Sequence, residues 1–274
     1  MSRSITRLVT RVALTLLLMI GATSCRASAV PALTWTRHAD PDDKVAGRIL
    51  VLMFPGVGDD GESYVDHGFV ESLQDERRGV DIVTVDARRQ YFGARTLLAR
   101  IEKDVLVPAR RRGYAQIWIV GLSMGGAGAL LTARHFERDI DGLILFAPYL
   151  GHRRVIGRIK RAGGVRKWKP PVGRTTWTID LWRWLRGYVE AENRPRIYLA
   201  SGTEDMWATA HQLLAEVVPA GHVFSRPGGH KWTVWSPLWR QMLDAGVIRT
   251  RPAADHGGSA DHVPSRADVR PSRR

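Results

Sequence analysis

Six short runs rich in apolar residues punctuate the chain, and they leave it few ways to fold. They read RILVLMF (48–54), VDIVTVD (80–86), QIWIVGL (116–122), GLILFAP (142–148), RIYLA (196–200) and HVFSR (222–226). Each is β-rich, too short for a globular helix and close to Gly or Pro. The longer runs are nearly continuous in apolar side chains, not alternating, so both faces of each strand must be covered. Parallel sheets with helices on either side meet that demand. The intervening sequence supplies the helices. TLLARIEKDVLVPARRRGY (96–114) has apolar residues at 97, 98, 101, 105 and 106, a helical spacing. Pro108 should end that helix, kink it, or start a second short piece. Residues 231–245, rich in Trp and Leu, should cover the end of the sheet. The expectation is an α/β domain with a doubly wound, mostly parallel sheet flanked by helices.

A chain of 274 residues has room for one such domain and a small insertion. The insertion is expected at about 150–190, a strand-free stretch dense in Trp, Lys and Arg between two predicted strands. Residues 251–274 are polar, basic and rich in Pro, Gly and Ser, and are expected to be disordered. Residues 1–29 have the layout of a bacterial export signal: Arg3, Arg7 and Arg11, then the apolar run Val12 to Ile20, then small residues. Two processing sites compete. Ala22-Thr23-Ser24-Cys25 resembles a lipobox, in which Cys25 would carry the lipid. Ala27-Ser28-Ala29 fits an ordinary signal peptidase and a mature chain beginning at Val30. Cys25 is the sole cysteine, so no intramolecular disulfide is available, and its position favours the lipidated form. The expected location is the cell envelope, lipid-anchored, periplasmic or secreted.

The strand QIWIVGL runs into Ser123-Met124-Gly125-Gly126, and Gly121-Leu122-Ser123-Met124-Gly125 matches G-x-S-x-G. Glycines two residues before and after a serine let a strand and the following helix approach closely around a sharp turn. Such a turn lifts a hydroxyl above the sheet edge, and the helix N-terminus favours developing negative charge. A structural turn would need the same glycines, so the serine acquires meaning only with a base, an acid and oxyanion donors. RIYLASGTEDMWATAHQLL places Asp205, with Glu204 beside it, in a loop after a strand. Asp205 could equally cap the helix that follows. HVFSRPGGHKWTVW places His230 after two glycines that free its loop. His135 and His211 lie on predicted helices, His222 at a strand start, and His256 and His262 in the tail.

These motifs, with FPGVGDDGESY, IWIVGLSMGGAGALL, FAPYLG and PGGHKWTVWSPLW, resemble the α/β-hydrolase superfamily over about 33–248, within an expected domain of 30–250. They are similar in particular to bacterial esterase-like serine hydrolases. The resemblance implies the α/β-hydrolase fold with a cap at 150–190, and a triad in the chain order Ser123, Asp205, His230. It implies Asp205 over Glu204, because SGTED ends its loop as that family's acid loop does. Pro55-Gly56-Val57 stands where many members have His-Gly-x, which makes the backbone N–H groups of Val57 and Met124 the implied oxyanion donors. The implied reaction is hydrolysis of a small carboxylic ester through an acyl-enzyme. Thioester, lysophospholipid or amide hydrolysis on the same triad remains open, as does a non-catalytic envelope binding protein on the same scaffold.

No cofactor is implied, and no His/Cys/Asp cluster has metal-ligand spacing. Trp207 and Trp232 flank the acid and the base in sequence and are candidate substrate contacts. Trp168, Trp177, Trp182 and Trp184 either line a pocket mouth or pack the cap. The formal net charge is +14, and a basic stretch runs from Arg153 through Arg154, Arg158, Lys160, Arg161, Arg166 and Lys167 to Lys169. It reads as a solvated face or as a surface for an anionic membrane. Nucleic acid is disfavoured by export and by the lack of a binding motif. Nothing in the sequence sets an oligomeric state.

Overall fold

The computed structural model describes residues 33–41, 47–77, 79–86, 96–173, 175–188 and 194–249. The predicted export segment with Cys25, and the tail with His256 and His262, lie outside them. Element by element, the described chain runs β1 (Trp35–His38), β2 (Ile49–Phe54), α1 (Glu62–Asp66), α2 (Phe69–Glu76) and β3 (Val80–Val85). It continues through α3 (Leu97–Ile101), α4 (Val107–Arg112), β4 (Gln116–Leu122), α5 (Met124–His135) and β5 (Gly142–Phe146). It closes with α6 (Arg153–Arg161), α7 (Trp177–Tyr188), β6 (Arg196–Gly202), α8 (Ala208–Ala215), β7 (Val223–Arg226) and α9 (Trp232–Asp244).

The strands form one seven-stranded sheet in the order β1-β3-β2-β4-β5-β6-β7. β1 is antiparallel to β3, and every other pair is parallel. This is the doubly wound α/β sheet expected from the apolar runs. Every residue of β2, β3, β4 and β5 is buried, as strands covered on both faces must be. β1 was not anticipated. Its four residues, WTRH, are mostly exposed and carry no apolar signal, because an antiparallel edge strand needs none.

One face of the sheet is sealed by α1, α2 and α9. Phe69 stacks on Trp239 at 5.1 Å and meets Phe146 edge-on at 5.2 Å, with all three rings fully or almost fully buried. Burying each such ring contributes roughly 1.5–3 kcal/mol or more. The Trp239 indole N–H is satisfied by Phe69 O and Ser72 Oγ. On α3–α4 the helical chain does not end at Pro108 but continues past it in a second short piece. It widens into a π turn over Glu102–Leu106 and resumes at Val107 with Pro108 in its first turn. The first turn is where a helix best accommodates proline. Gly113, at φ 69°, ends the helix as a left-handed cap.

At the opposite edge from the serine turn, a buried carboxylate ties three segments together. Asp81 on β3 accepts from Arg37 (2.8 Å), from Arg48 (2.5 Å), from the Tyr114 hydroxyl and from the backbone N–H of Asp40 (3.0 Å). Burial pushes the Asp81 carboxyl up, but these donors outweigh it and hold it well below the ordinary carboxylate range. A depressed folded-state pKa means that the stabilisation is complete above about pH 5 and is lost as acid protonates the group. Asp81→Asn should therefore cost on the order of 3 kcal/mol at pH 7 in urea unfolding, because a neutral amide replaces the buried charge that holds the partly buried Arg37 and Arg48. The gap between wild type and variant should narrow as the pH falls below about 4. An unchanged urea midpoint at pH 7 would contradict this account of Asp81.

Candidate active site

Because β2, β4, β6 and β7 are parallel, the segments that follow them all emerge at one edge of the sheet. Those segments contain Val57, Ser123, Asp205 and His230 respectively. The topology thus gathers residues that lie far apart in sequence.

Ser123 joins β4 to α5 with φ 50° and ψ −112°, a conformation that side-chain-bearing residues rarely adopt. Its surroundings hold it there. The Ser123 N–H donates to Phe146 O at 2.9 Å, and its carbonyl accepts from Tyr149 N–H at 2.8 Å. Crowding makes the nearby glycines necessary. A Cβ on Gly125 would stand 2.0 Å from Phe54 O, and one on Gly121 would stand 2.7 Å from Gly125 O. One on Gly126 would meet Pro148 at 2.7 Å. Ala147, the other residue with a side chain at positive φ among those described, lies directly across the turn at φ 43°. The Ser123 side chain is partly exposed and makes no hydrogen bond among the described residues.

Asp205 is buried while Glu204 is exposed, which separates the two candidates for the acid. One Asp205 oxygen accepts from His230 Nδ1 at 2.8 Å, and the other accepts from the backbone N–H of Trp207 at 2.9 Å. Asp205 is not the cap of α8, whose first turn takes no side-chain bond; its second oxygen instead pins the loop at Trp207, just before the helix. Burial raises the Asp205 carboxyl, but the His230 and Trp207 donors reverse that and hold it below its ordinary value. A carboxylate can only accept, so His230 Nδ1 carries the proton and, in the neutral ring, Nε2 carries the lone pair. The His230 ring also meets Trp235 edge-on at 4.9 Å. The loops of Asp205 and His230 touch backbone to backbone: Glu204 N–H donates to Gly228 O, and a Cβ on Gly202 would lie 2.0 Å from that oxygen.

His211 fitted the pattern poorly as a helical histidine, and it is not bonded to Asp205. It is buried, with Nε2 on Pro148 O at 3.2 Å. Burial pushes its pKa down, against the pull of the nearby Asp205 charge. His222 is used elsewhere, stacked on Tyr198 at 3.9 Å with Nδ1 bonded to Ile197 O.

The donor loop lies beside the serine. A Cβ on Gly56 would stand 3.5 Å from Ser123 Cβ, and the next residue, Val57, is exposed. Neither Val57 N–H nor Met124 N–H has a backbone partner among the described residues. Trp232 braces this loop. Its indole N–H reaches Asp59 at 3.3 Å, while its ring is held between His67, Tyr64, Phe69 and Trp235. Trp207 lines a cleft, edge-on to Tyr149 at 5.3 Å. In the insertion, Trp168, Trp182 and Trp184 are buried packing residues, and only Trp177 is exposed, beside Tyr149. Among the described residues no group of three or more His, Cys, Asp or Glu could hold a metal. No helix among them is long and apolar enough to cross a membrane.

A protein-family model described as "Putative esterase" matches residues 90–250, more than half of the chain and the whole span from β4 to α9. The chain belongs to this esterase family. It is a carboxylic ester hydrolase on the α/β-hydrolase fold. Among solved structures, the esterase is similar to the substrate-bound fluorophosphonate-binding serine hydrolase F of Staphylococcus aureus. That match has a TM-score of 0.53 at 12% identity, covering 80% of this chain and 96% of that one. It is also similar to a monoacylglycerol lipase of Paleococcus ferrophilus, with a TM-score of 0.51 at 16% identity over 78% and 97% of the two chains. A ferulic acid esterase matches with a TM-score of 0.50 at 17% identity over 74% and 85%. At these identities the likeness establishes the fold alone. Comparison with curated proteins finds no match.

The esterase's serine turn and the loops of Asp205 and His230 should tolerate no added methyl. Gly125→Ala and Gly202→Ala should each cost about 3 kcal/mol or more, lowering Tm by roughly 6 °C or more. Gly221→Ala, where a Cβ meets nothing within 4 Å, should leave Tm unchanged. Equal melting of all three variants would refute the crowding described.

Proposed function

We propose that the esterase cleaves its ester by acyl transfer to Ser123, with His230 as base and Asp205 as the group that orients it. The reading is carried by the His230–Asp205 pair together with the strained Ser123 turn, on loops that leave the same sheet edge. His230 Nε2 takes the hydroxyl proton as Ser123 Oγ attacks the acyl carbon. Asp205 keeps the Nδ1 proton in place and stabilises the imidazolium that forms. The carbonyl oxygen becomes an oxyanion, met by the N–H groups of Met124 and Val57, at about 3 kcal/mol per donor. His230 then protonates the leaving alcohol. Water attacks the acyl-serine with His230 again as base, which releases the acid and restores the serine.

Hydrolysis of p-nitrophenyl butyrate tests the assignment. Ser123→Ala should lower kcat by about 10⁴-fold or more, and Asp205→Asn by about 10³–10⁴-fold, with the fold intact by circular dichroism. Glu204→Gln should change kcat by less than about threefold, because its exposed side chain holds no member of the set. Full turnover in folded Ser123→Ala would remove the serine from the reaction.

We also propose that the enzyme is exported to the cell envelope. The basic-apolar-small layout of residues 1–29 supports export, and the position of the single cysteine supports a lipid on Cys25. On expression in a bacterial host, the full chain should fractionate with membranes, and Cys25→Ala should move to the soluble fraction. Membrane association that survives Cys25→Ala and is insensitive to globomycin would rule out the anchor.

A further inference from the structure

A cleft of about 670 Å³ opens beside the candidate active site, walled by Tyr149 and Trp207 on one side and by the start of α6 on the other. Both aromatic residues are tied to the catalytic loops. Tyr149 N–H holds the Ser123 carbonyl, and Trp207 N–H holds Asp205. The wall contributed by α6 carries Arg153, Arg154 and Arg158. Arg153 lies 5.2 Å from the centre of the Trp207 ring, so charge and aromatic wall meet in one place.

These arginines differ from the structural ones. Arg37, Arg48, Arg110, Arg183 and Arg194 each sit within 4 Å of a carboxylate. Among the described residues none of Arg153, Arg154 and Arg158 does, and no Asp or Glu lines the cleft. The nearest acidic residue along α7, Asp180, is already engaged by Thr175 and Arg183. Three like charges within six residues repel one another, and an incoming anion relieves that repulsion. A bilayer is the poorer occupant. The apolar residues of α6, namely Val155, Ile156 and Ile159, are turned into the protein and buried, so no apolar face remains to insert.

We infer that the cleft selects esters carrying an anionic group, a carboxylate, phosphate or sulfate attached close to the scissile bond, with its aromatic wall against the apolar part of the same substrate. The inference rests on the proposed Ser123 chemistry for turnover, but binding reads it separately. Three esters with nitrophenol leaving groups serve as probes: neutral p-nitrophenyl butyrate, mono-p-nitrophenyl glutarate with the charge on the acyl half, and 5-butyryloxy-2-nitrobenzoate with the charge on the alcohol half. At low salt one of the anionic esters should exceed the neutral one in kcat/KM by about fivefold to tenfold, and the half that carries the charge identifies which part of the substrate enters the cleft. The preference should fade as salt rises to about 0.5 M. Arg154→Gln combined with Arg158→Gln should bring the anionic-to-neutral ratio close to one, whereas Arg111→Gln on α4 should leave the ratio as in wild type.

Titration calorimetry of the same esters into Ser123→Ala reads binding without turnover, and the same order is expected. Equal binding of all three, or a ratio indifferent to the arginine pair, overturns the inference even if every ester is hydrolysed. Tighter binding of an anionic ester with no hydrolysis of any ester by wild type supports the cleft and overturns the Ser123 mechanism instead.

Discussion

Much of this structure depends on the backbone of one residue. Ser123 sits at φ 50° and ψ −112°, which is unfavourable for any residue with a side chain. The cost, of order 1–3 kcal/mol, is offset by the elements on either side. Ser123 N–H and C=O are both bonded to the chain that leaves β5, and α5 is pressed against β2 so closely that Gly125 has no room for a methyl. Sheet register, the glycine pattern and the return of the chain through Ala147 and Pro148 all follow from keeping that turn. So does the orientation of Tyr149, which carries the turn's last hydrogen bond into the neighbouring cleft.

Asp205 and His230 are held by a different device. Asp205 has two acceptor oxygens and two assigned partners, the Trp207 N–H and the His230 ring. The first fixes the loop, and the second fixes the tautomer of the imidazole. His211, also buried, takes no part in this pair and is bonded to Pro148 O instead. The two Asp205 bonds hold the carboxylate and the imidazole in fixed positions, the fixed polarity on which the proposed chemistry draws.

Much of this was legible in the sequence, for identifiable reasons. Strands buried on both faces leave unbroken apolar runs, so β2 through β6 could be read directly. The crowded serine turn demands glycines at fixed offsets, so it too left a mark. β1 left none, because an exposed edge strand is free in composition. The π turn before Pro108 was invisible because Glu102–Leu106 keeps its apolar residues in place while the hydrogen-bond register changes. The tryptophans were the least readable feature. Burial of Trp168, Trp182 and Trp184 against exposure of Trp177 depends on which face of the insertion packs on the neighbouring helices, and that is a tertiary fact. Trp232, next but one to His230 in sequence, turns out to brace the Asp59 loop. The pairing of Arg153 with Trp207 joins residues 54 positions apart and had no local signal.

At the centre stands the proposal that the hydroxyl of Ser123 is a nucleophile activated by the His230–Asp205 pair. Treating the folded protein with a fluorophosphonate and mapping the adduct by peptide mass spectrometry tests it most directly. The account predicts a single stoichiometric adduct on the peptide containing Ser123, with labelling slowed by orders of magnitude in His230→Ala. An unlabelled wild-type protein, or an adduct on any other residue, would contradict it.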